Sequence, residues 1–112
     1  MPLEEKTNPP LRPSWFVYIV RCCDGSYYTG ISTDLVRRMK EHNSSGQGAK
    51  YTRPRRPVAL VYFETAQSRS TAAQREYRIR KMNPLGKIRL IAEYTAKAAL
   101  HQPPEKAEHT IL

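Results

Sequence analysis

Glu76 is an acid placed where a helix should be apolar. The segment from Ser70 to Met82 reads as a helix whose apolar positions are Ala72, Ala73 and Ile79. At ~100° per residue Glu76 falls among them, on the inward stripe and not the wet face. A carboxylate held against a core is costly unless a cation pairs with it or it holds a metal ion. Arg38 and His42, four residues apart, are neighbours on an earlier predicted helix. They flank its Leu35/Met39 stripe on the same side, so they border the core and face the sheet. A snorkelling arginine and a histidine bonded to backbone would also satisfy that position without further chemistry. Arg37 and Lys40 point outward as ordinary surface charge.

Tyr18 and Tyr28 stand ten residues apart across a predicted hairpin. β-Propensity alone accounts for tyrosines in strands, and the chain has seven of them. Whether these two share a face depends on the loop between them. A two-residue loop at Asp24-Gly25 would pair Tyr18 with Ile31 and Tyr28 with Arg21, and place the rings on opposite faces. An odd loop, such as Asp24-Gly25-Ser26, places both on one face, so a shared function requires an odd loop or a bulge. Further on, Lys50, Arg53, Arg55 and Arg56 surround Tyr51. This is the pattern of a phosphate-tracking loop with a stacking aromatic, or of ordinary loop charge.

These residues must be positioned by a short series of elements. Trp15 to Arg21 is almost continuously apolar and β-rich, as in a strand buried on both faces. Asp24-Gly25 signals a hairpin, and Tyr27 to Ile31 returns. Ser32 or Thr33 is placed to cap a helix running to about Asn43, with Asp34 in its first turn and Leu35, Val36 and Met39 facing in. A flexible polar loop follows over Ser44 to Gly48, then a proline-broken basic loop over Lys50 to Pro57, then a third buried strand over Val58 to Phe63. Thr71-Ala72-Ala73-Gln74 has the form of a capping box for the helix that carries Glu76. Asn83-Pro84 starts another helix, with Leu85, Ile88, Ile91 and Ala92 as its stripe, through about Ala98. The order β-β-α-β-α-α predicts an α+β fold, a three-stranded, mainly antiparallel sheet flanked by helices. Residues 1–13 read as a flexible lead, 14–98 as one domain and 99–112 as a disordered tail.

Composition narrows the partners. The 112 residues suit a single domain, and a mean hydropathy of -0.67 with 39% hydrophobic residues fits a soluble one. No apolar run approaches the ~20 residues of a membrane span, and the start lacks the apolar stretch of a secretory signal. Cys22 and Cys23 are adjacent and match neither a useful disulfide nor a zinc spacing, which fits a reducing cytoplasm. Net charge is +9. From Lys50 to Lys97 there are 12 basic and 3 acidic residues, whereas the remainder has 7 of each. Excess charge confined to the second half favours nucleic acid phosphate over a solvated surface or an anionic membrane.

The ordered set of these residues resembles the GIY-YIG nuclease family, in particular its small single-domain bacterial members. Phe16-Val17-Tyr18 corresponds to the first triplet, with Phe16 at its glycine position and Val17 at its isoleucine position. Tyr28-Thr29-Gly30 corresponds to the second. Asp34-Leu35-Val36-Arg37-Arg38 follows with His42, Arg38 standing eight residues after Gly30. Glu76, within Arg75-Glu76-Tyr77-Arg78-Ile79-Arg80, closes the set, and the likeness spans roughly residues 15 to 92.

The resemblance implies a metal-dependent endonuclease that hydrolyses phosphodiester bonds, in DNA rather than RNA, during processing or repair in the cytoplasm. Tyr18 and Tyr28 would line one site, and one of them would orient or deprotonate water. Arg38 would clamp the scissile phosphate, and His42 would orient a partner or relay a proton. Glu76 would bind one divalent ion, magnesium first and manganese second, consistent with a hard cation that takes few protein ligands. Gly30, lacking a side chain, would let a helix or substrate backbone approach its strand, unless it only leads into a turn. A nucleic-acid-binding module that keeps the fold without catalysis is the alternative.

Overall fold

The apolar run that opens the domain becomes the middle of a sheet. The computed structural model describes residues 15–44 and 46–100, so the predicted lead over 1–13 and the tail beyond residue 100 lie outside the described residues. Strand β1 (Trp15–Arg21) is flanked by β2 (Tyr27–Ser32) and β3 (Ala59–Ala66), both antiparallel to it. With neighbours on both edges, β1 buries Val17, Tyr18, Ile19 and Val20 almost completely. This is the α+β architecture, in the β-β-α-β-α-α order expected.

The hairpin has an odd loop. Tyr18 lies opposite Gly30 and Val20 opposite Tyr28, so the loop is Cys23-Asp24-Gly25. The Cys22 amide donates to the Ser26 carbonyl at 2.8 Å, and the Gly25 amide donates to the Cys22 carbonyl at 2.9 Å. Gly25 takes the left-handed conformation, φ +86°, that closes such a loop. Tyr18 and Tyr28 therefore share one face of the sheet.

Strand β3 departs from expectation. It is an edge strand whose first residues, Ala59 and Leu60, are exposed, while Val58 just before it is buried. Ile19 pairs with Tyr62 but Val20 with Leu60, which leaves Val61 as the extra residue of a bulge.

Helix α1 (Leu35–His42) is capped by Asp34 itself, not by Ser32 or Thr33. The Asp34 carboxylate accepts from the Arg37 amide at 3.0 Å. Leu35 and Met39 pack on the sheet face formed by Tyr18, Val20 and Cys22, together with Val58 and Phe63. Val36 does not face in; it is 69% exposed, one step of ~100° away from that stripe. Helix α2 (Arg69–Lys81) starts before the anticipated capping box. Ser68 Oγ accepts the Thr71 amide at 3.1 Å. Ala72 and Ile79, both fully buried, hold α2 against the three strands.

The chain parts into two compact units, the first ending at Lys81 and the second beginning at Met82. Within the second, helix α3 (Pro84–Leu100) opens as predicted. Pro84 is at its first position, and Asn83 Oδ1 accepts the Gly86 amide at 2.8 Å. It runs two residues past Ala98. Among the described residues no helix is long and apolar enough to cross a membrane.

Candidate functional site

Tyr18, Arg38 and His42 form one connected group. The Tyr18 hydroxyl lies 2.8 Å from His42 Nε2, and Arg38 Nε donates to the same oxygen at 3.3 Å. Arg38 Nη1 donates to Glu41 at 2.8 Å, which fixes the guanidinium, and Nη2 has no partner among the described residues. His42 is fully buried, with Nδ1 3.0 Å from the Thr52 hydroxyl. Burial pushes the Tyr18 pKa up to about 12 against the pull of Arg38; Tyr28 and the Glu76 carboxylate add to the rise. Glu76 is thus close enough for its charge to be felt at Tyr18.

His42 is held neutral. Its pKa falls to about 4, through burial first and the Arg38 charge second. An unfolded histidine titrates near ~6.5, so on acidification the unfolded chain takes up its proton first. The stability tied to neutral His42 is complete above ~6.5 and is lost as pH falls towards about 4. The shift corresponds to on the order of 3 kcal/mol. Urea midpoints should drop between pH ~6.5 and ~5, above the ordinary carboxylate range, and His42→Gln should flatten that part of the profile. An unchanged slope in the variant would show that another group titrates there.

Tyr28 occupies a different environment. Its ring meets the His42 ring edge-on at 5.5 Å and stacks on Tyr51 at 6.1 Å between centroids. Among the described residues its hydroxyl has no hydrogen-bond partner, and the side chain is half-buried. Beyond it, the Arg55 guanidinium lies 3.9 Å from the Tyr51 centroid while Nε donates to Asp24 at 3.1 Å. Tyr51 thus meets both the Tyr28 ring and the Arg55 guanidinium, and these contacts steady Tyr28.

Gly30 has a role other than admitting a helix or substrate backbone. A Cβ there would fall 2.5 Å from the Tyr18 hydroxyl and 2.7 Å from its ring. The Tyr18 ring lies across Gly30, which sets where the hydroxyl meets His42. Gly30→Ala should displace Tyr18 and cost about 1–3 kcal/mol as an overpacking change. Matching urea midpoints for Gly30→Ala and wild type would contradict this contact.

The basic loop divides in two. Arg53–Arg55 forms a single 3-10 turn inside the predicted loop. Arg55 is committed to Asp24 and Tyr51, and Arg56 donates to the His42 carbonyl at 2.8 Å and the Gln47 carbonyl at 3.0 Å. These two arginines bind the loop to the hairpin and to the end of α1. The Lys50 and Arg53 side chains are exposed and have no partner among the described residues.

Glu76 is inward but not sealed. Its side chain is 20% exposed, and its one ion pair among the described residues is a 3.9 Å approach of Arg80. Among the described residues no hydrogen-bond donor reaches this part-buried carboxylate, a position suited to a cation. Among the described residues no cluster of three or more acids, histidines or cysteines surrounds it. The donor set fits a hard ion held by one protein ligand and water. A hollow of about 450 Å³ is lined by Ala73, Gln74, Tyr77 and Arg78, and one of about 200 Å³ by residues of β3 and α2 around the Glu64–Arg75 pair. Neither takes in Tyr18, Tyr28, Arg38 or Glu76.

Several positioning residues escaped the sequence reading. Glu41 steadies Arg38, Thr52 meets His42, and the Asn43 side chain brackets Val58 through both its amide and carbonyl. Gly48, in the supposedly flexible loop, has φ +88°, and a Cβ there would come 2.8 Å from His42 Cα. Glu64 accepts from Arg75 at 2.8 Å and from the Tyr62 hydroxyl. Only the left-handed glycine had a sequence signal, its place in a Ser/Gly-rich loop.

The chain is similar to known proteins over most of the first compact unit. A profile of the GIY-YIG catalytic domain matches residues 14–85. A UPF0213 protein of Desulfotalea psychrophila is 59% identical over 80 residues, covering 71% of this chain and 73% of that one. A UPF0213 protein of Staphylococcus aureus is 54% identical over 80 residues, with 71% and 96% covered. The solution NMR structure of the UPF0213 protein from Bacillus halodurans is 44% identical over 70% of this chain and 82% of that one, with a TM-score of 0.46. The profile match covers well over half of the sequence and takes in both tyrosine triplets, Arg38, His42 and Glu76, and the chain belongs to the GIY-YIG family of nucleases.

Proposed function

We propose that this protein is a metal-dependent endonuclease that hydrolyses phosphodiester bonds of nucleic acid, DNA in preference to RNA, in processing or repair. The observation that carries the reading is the division of labour between the two tyrosines. Tyr18 is bonded on both sides, to Arg38 and His42, whereas the Tyr28 hydroxyl has no hydrogen-bond partner among the described residues. Tyr28 is the group able to bond the attacking water, orient it and receive its proton. Tyr18 and Glu41 hold Arg38 so that its Nη2 can reach the scissile phosphate and offset the charge that builds there. Glu76 would hold one magnesium or manganese ion, which when bound supplies Lewis-acid stabilisation of the phosphoryl oxygens. Lys50 and Arg53 would follow the backbone of the substrate, reading phosphates and not bases.

The test is a cleavage assay with magnesium or manganese over single-stranded DNA, duplex, flap, branched and RNA substrates, beside binding measured in chelator at several salt concentrations. Cleavage of at least one DNA class is the expected result. Salt-dependent binding with no cleavage of any substrate would identify a binding module in its place.

A further inference from the structure

Thr52 is fully buried, yet its hydroxyl is fully used. Oγ1 lies 3.0 Å from the Ala49 carbonyl and 3.0 Å from His42 Nδ1. A hydroxyl has one proton, and the geometry has Thr52 donating it to the Ala49 carbonyl, which also takes the Thr52 amide at 3.1 Å and the Arg53 amide at 3.2 Å. With its proton on Ala49, Thr52 presents a lone pair to His42, and Nδ1 then carries the ring proton. A neutral imidazole protonated on Nδ1 has its free lone pair on Nε2. The Tyr18 hydroxyl, 2.8 Å away, is then the donor to His42, and its oxygen is the acceptor for Arg38. Every bond in the series from Arg38 through Tyr18, His42 and Thr52 to Ala49 runs donor to acceptor in one direction, the arrangement in which each bond strengthens the next.

We infer that Thr52 is a positioning residue that fixes the Nδ1–H tautomer of His42 and so sets the direction of the Tyr18 hydroxyl. The loop that carries it is built to hold it there. Thr52 follows the Ala49 carbonyl it bonds, Gly48 packs flat on His42, and Arg56 ties the His42 carbonyl back to the same loop. With Tyr18's proton directed at His42, its lone pairs face Arg38. With the opposite tautomer, Nε2–H and Arg38 would both donate to Tyr18, and the tyrosine proton would be turned out of the network. Thr52's kinetic effect presupposes the nuclease function above; its effect on the His42 tautomer does not.

The experiment is ¹⁵N NMR of the histidine rings in the full chain, with Thr52→Val and Thr52→Ser, alongside cleavage kinetics. In the wild type, His42 should show a protonated Nδ1 and an unprotonated Nε2. Thr52→Ser should keep that pattern. Thr52→Val should lose it and lower kcat by about 10- to 100-fold with substrate affinity retained, by analogy with the range for outer partners of metal-bound histidines. A wild-type His42 protonated on Nε2, or a folded Thr52→Val with the wild-type ring pattern, would overturn the inference. Should Thr52→Val not fold, the wild-type spectrum and Thr52→Ser still decide it. The expected tautomer without cleavage by any variant would count against the nuclease function and leave Thr52's role standing.

Discussion

Tyr28→Phe should fold as the wild type does and cut nucleic acid about 10²- to 10⁴-fold more slowly, the range contributed by a general base. The Tyr28 hydroxyl has no protein partner among the described residues, so removing it leaves no donor or acceptor stranded. Its ring contacts with His42 and Tyr51 survive the change. Tyr18→Phe should behave differently although it removes the same atom. His42 Nε2 loses its donor and Arg38 Nε loses an acceptor, one of them in a fully buried place. An unsatisfied buried group costs about 1–3 kcal/mol, so this variant should lose stability as well as turnover. Urea unfolding and single-turnover cleavage of the two variants together separate these outcomes. Equal stability losses for both, or a fully active Tyr28→Phe, would reverse the roles assigned to the tyrosines.

Much of this arrangement could be read before the fold was known, because the periodicities of short elements are local. The spacing of Arg38 and His42 put them on the sheet side of α1, and both reach Tyr18 there. The hairpin condition was also legible: sharing a face required an odd loop, and Cys23-Asp24-Gly25 supplies one. Helix starts were less legible. Asp34 and Ser68 do the capping because a cap depends on where the chain leaves extended geometry, and neighbouring polar residues compete for the role. Long-range pairs were not legible at all. Arg55 and Arg56 looked like free phosphate ligands, but Asp24, 31 residues from Arg55, and the His42 carbonyl, 14 residues from Arg56, claim them. Thr52 and Glu41 likewise show their importance only once Tyr18, Arg38 and His42 have met.

Glu76→Ala carries the other large expected effect. Its stability cost should be small, because the Arg80 contact is an i,i+4 pair at 3.9 Å with Arg80 mostly exposed. Pairs of that kind contribute ~0.3–0.5 kcal/mol. The functional cost should be large, since a bound divalent ion supplies several kcal/mol of charge stabilisation, and ~4 kcal/mol is about 10³-fold in rate. A folded protein that binds nucleic acid normally but no longer responds to metal is therefore the expected phenotype. The decisive measurement is the cleavage rate of one labelled DNA substrate against magnesium concentration, for wild type and Glu76→Ala, with affinity measured in parallel. The account predicts a saturable metal response in the wild type and its loss, by about 10³-fold, in a variant of unchanged affinity. Metal-independent cleavage by the wild type, or the same metal response in Glu76→Ala, would contradict it.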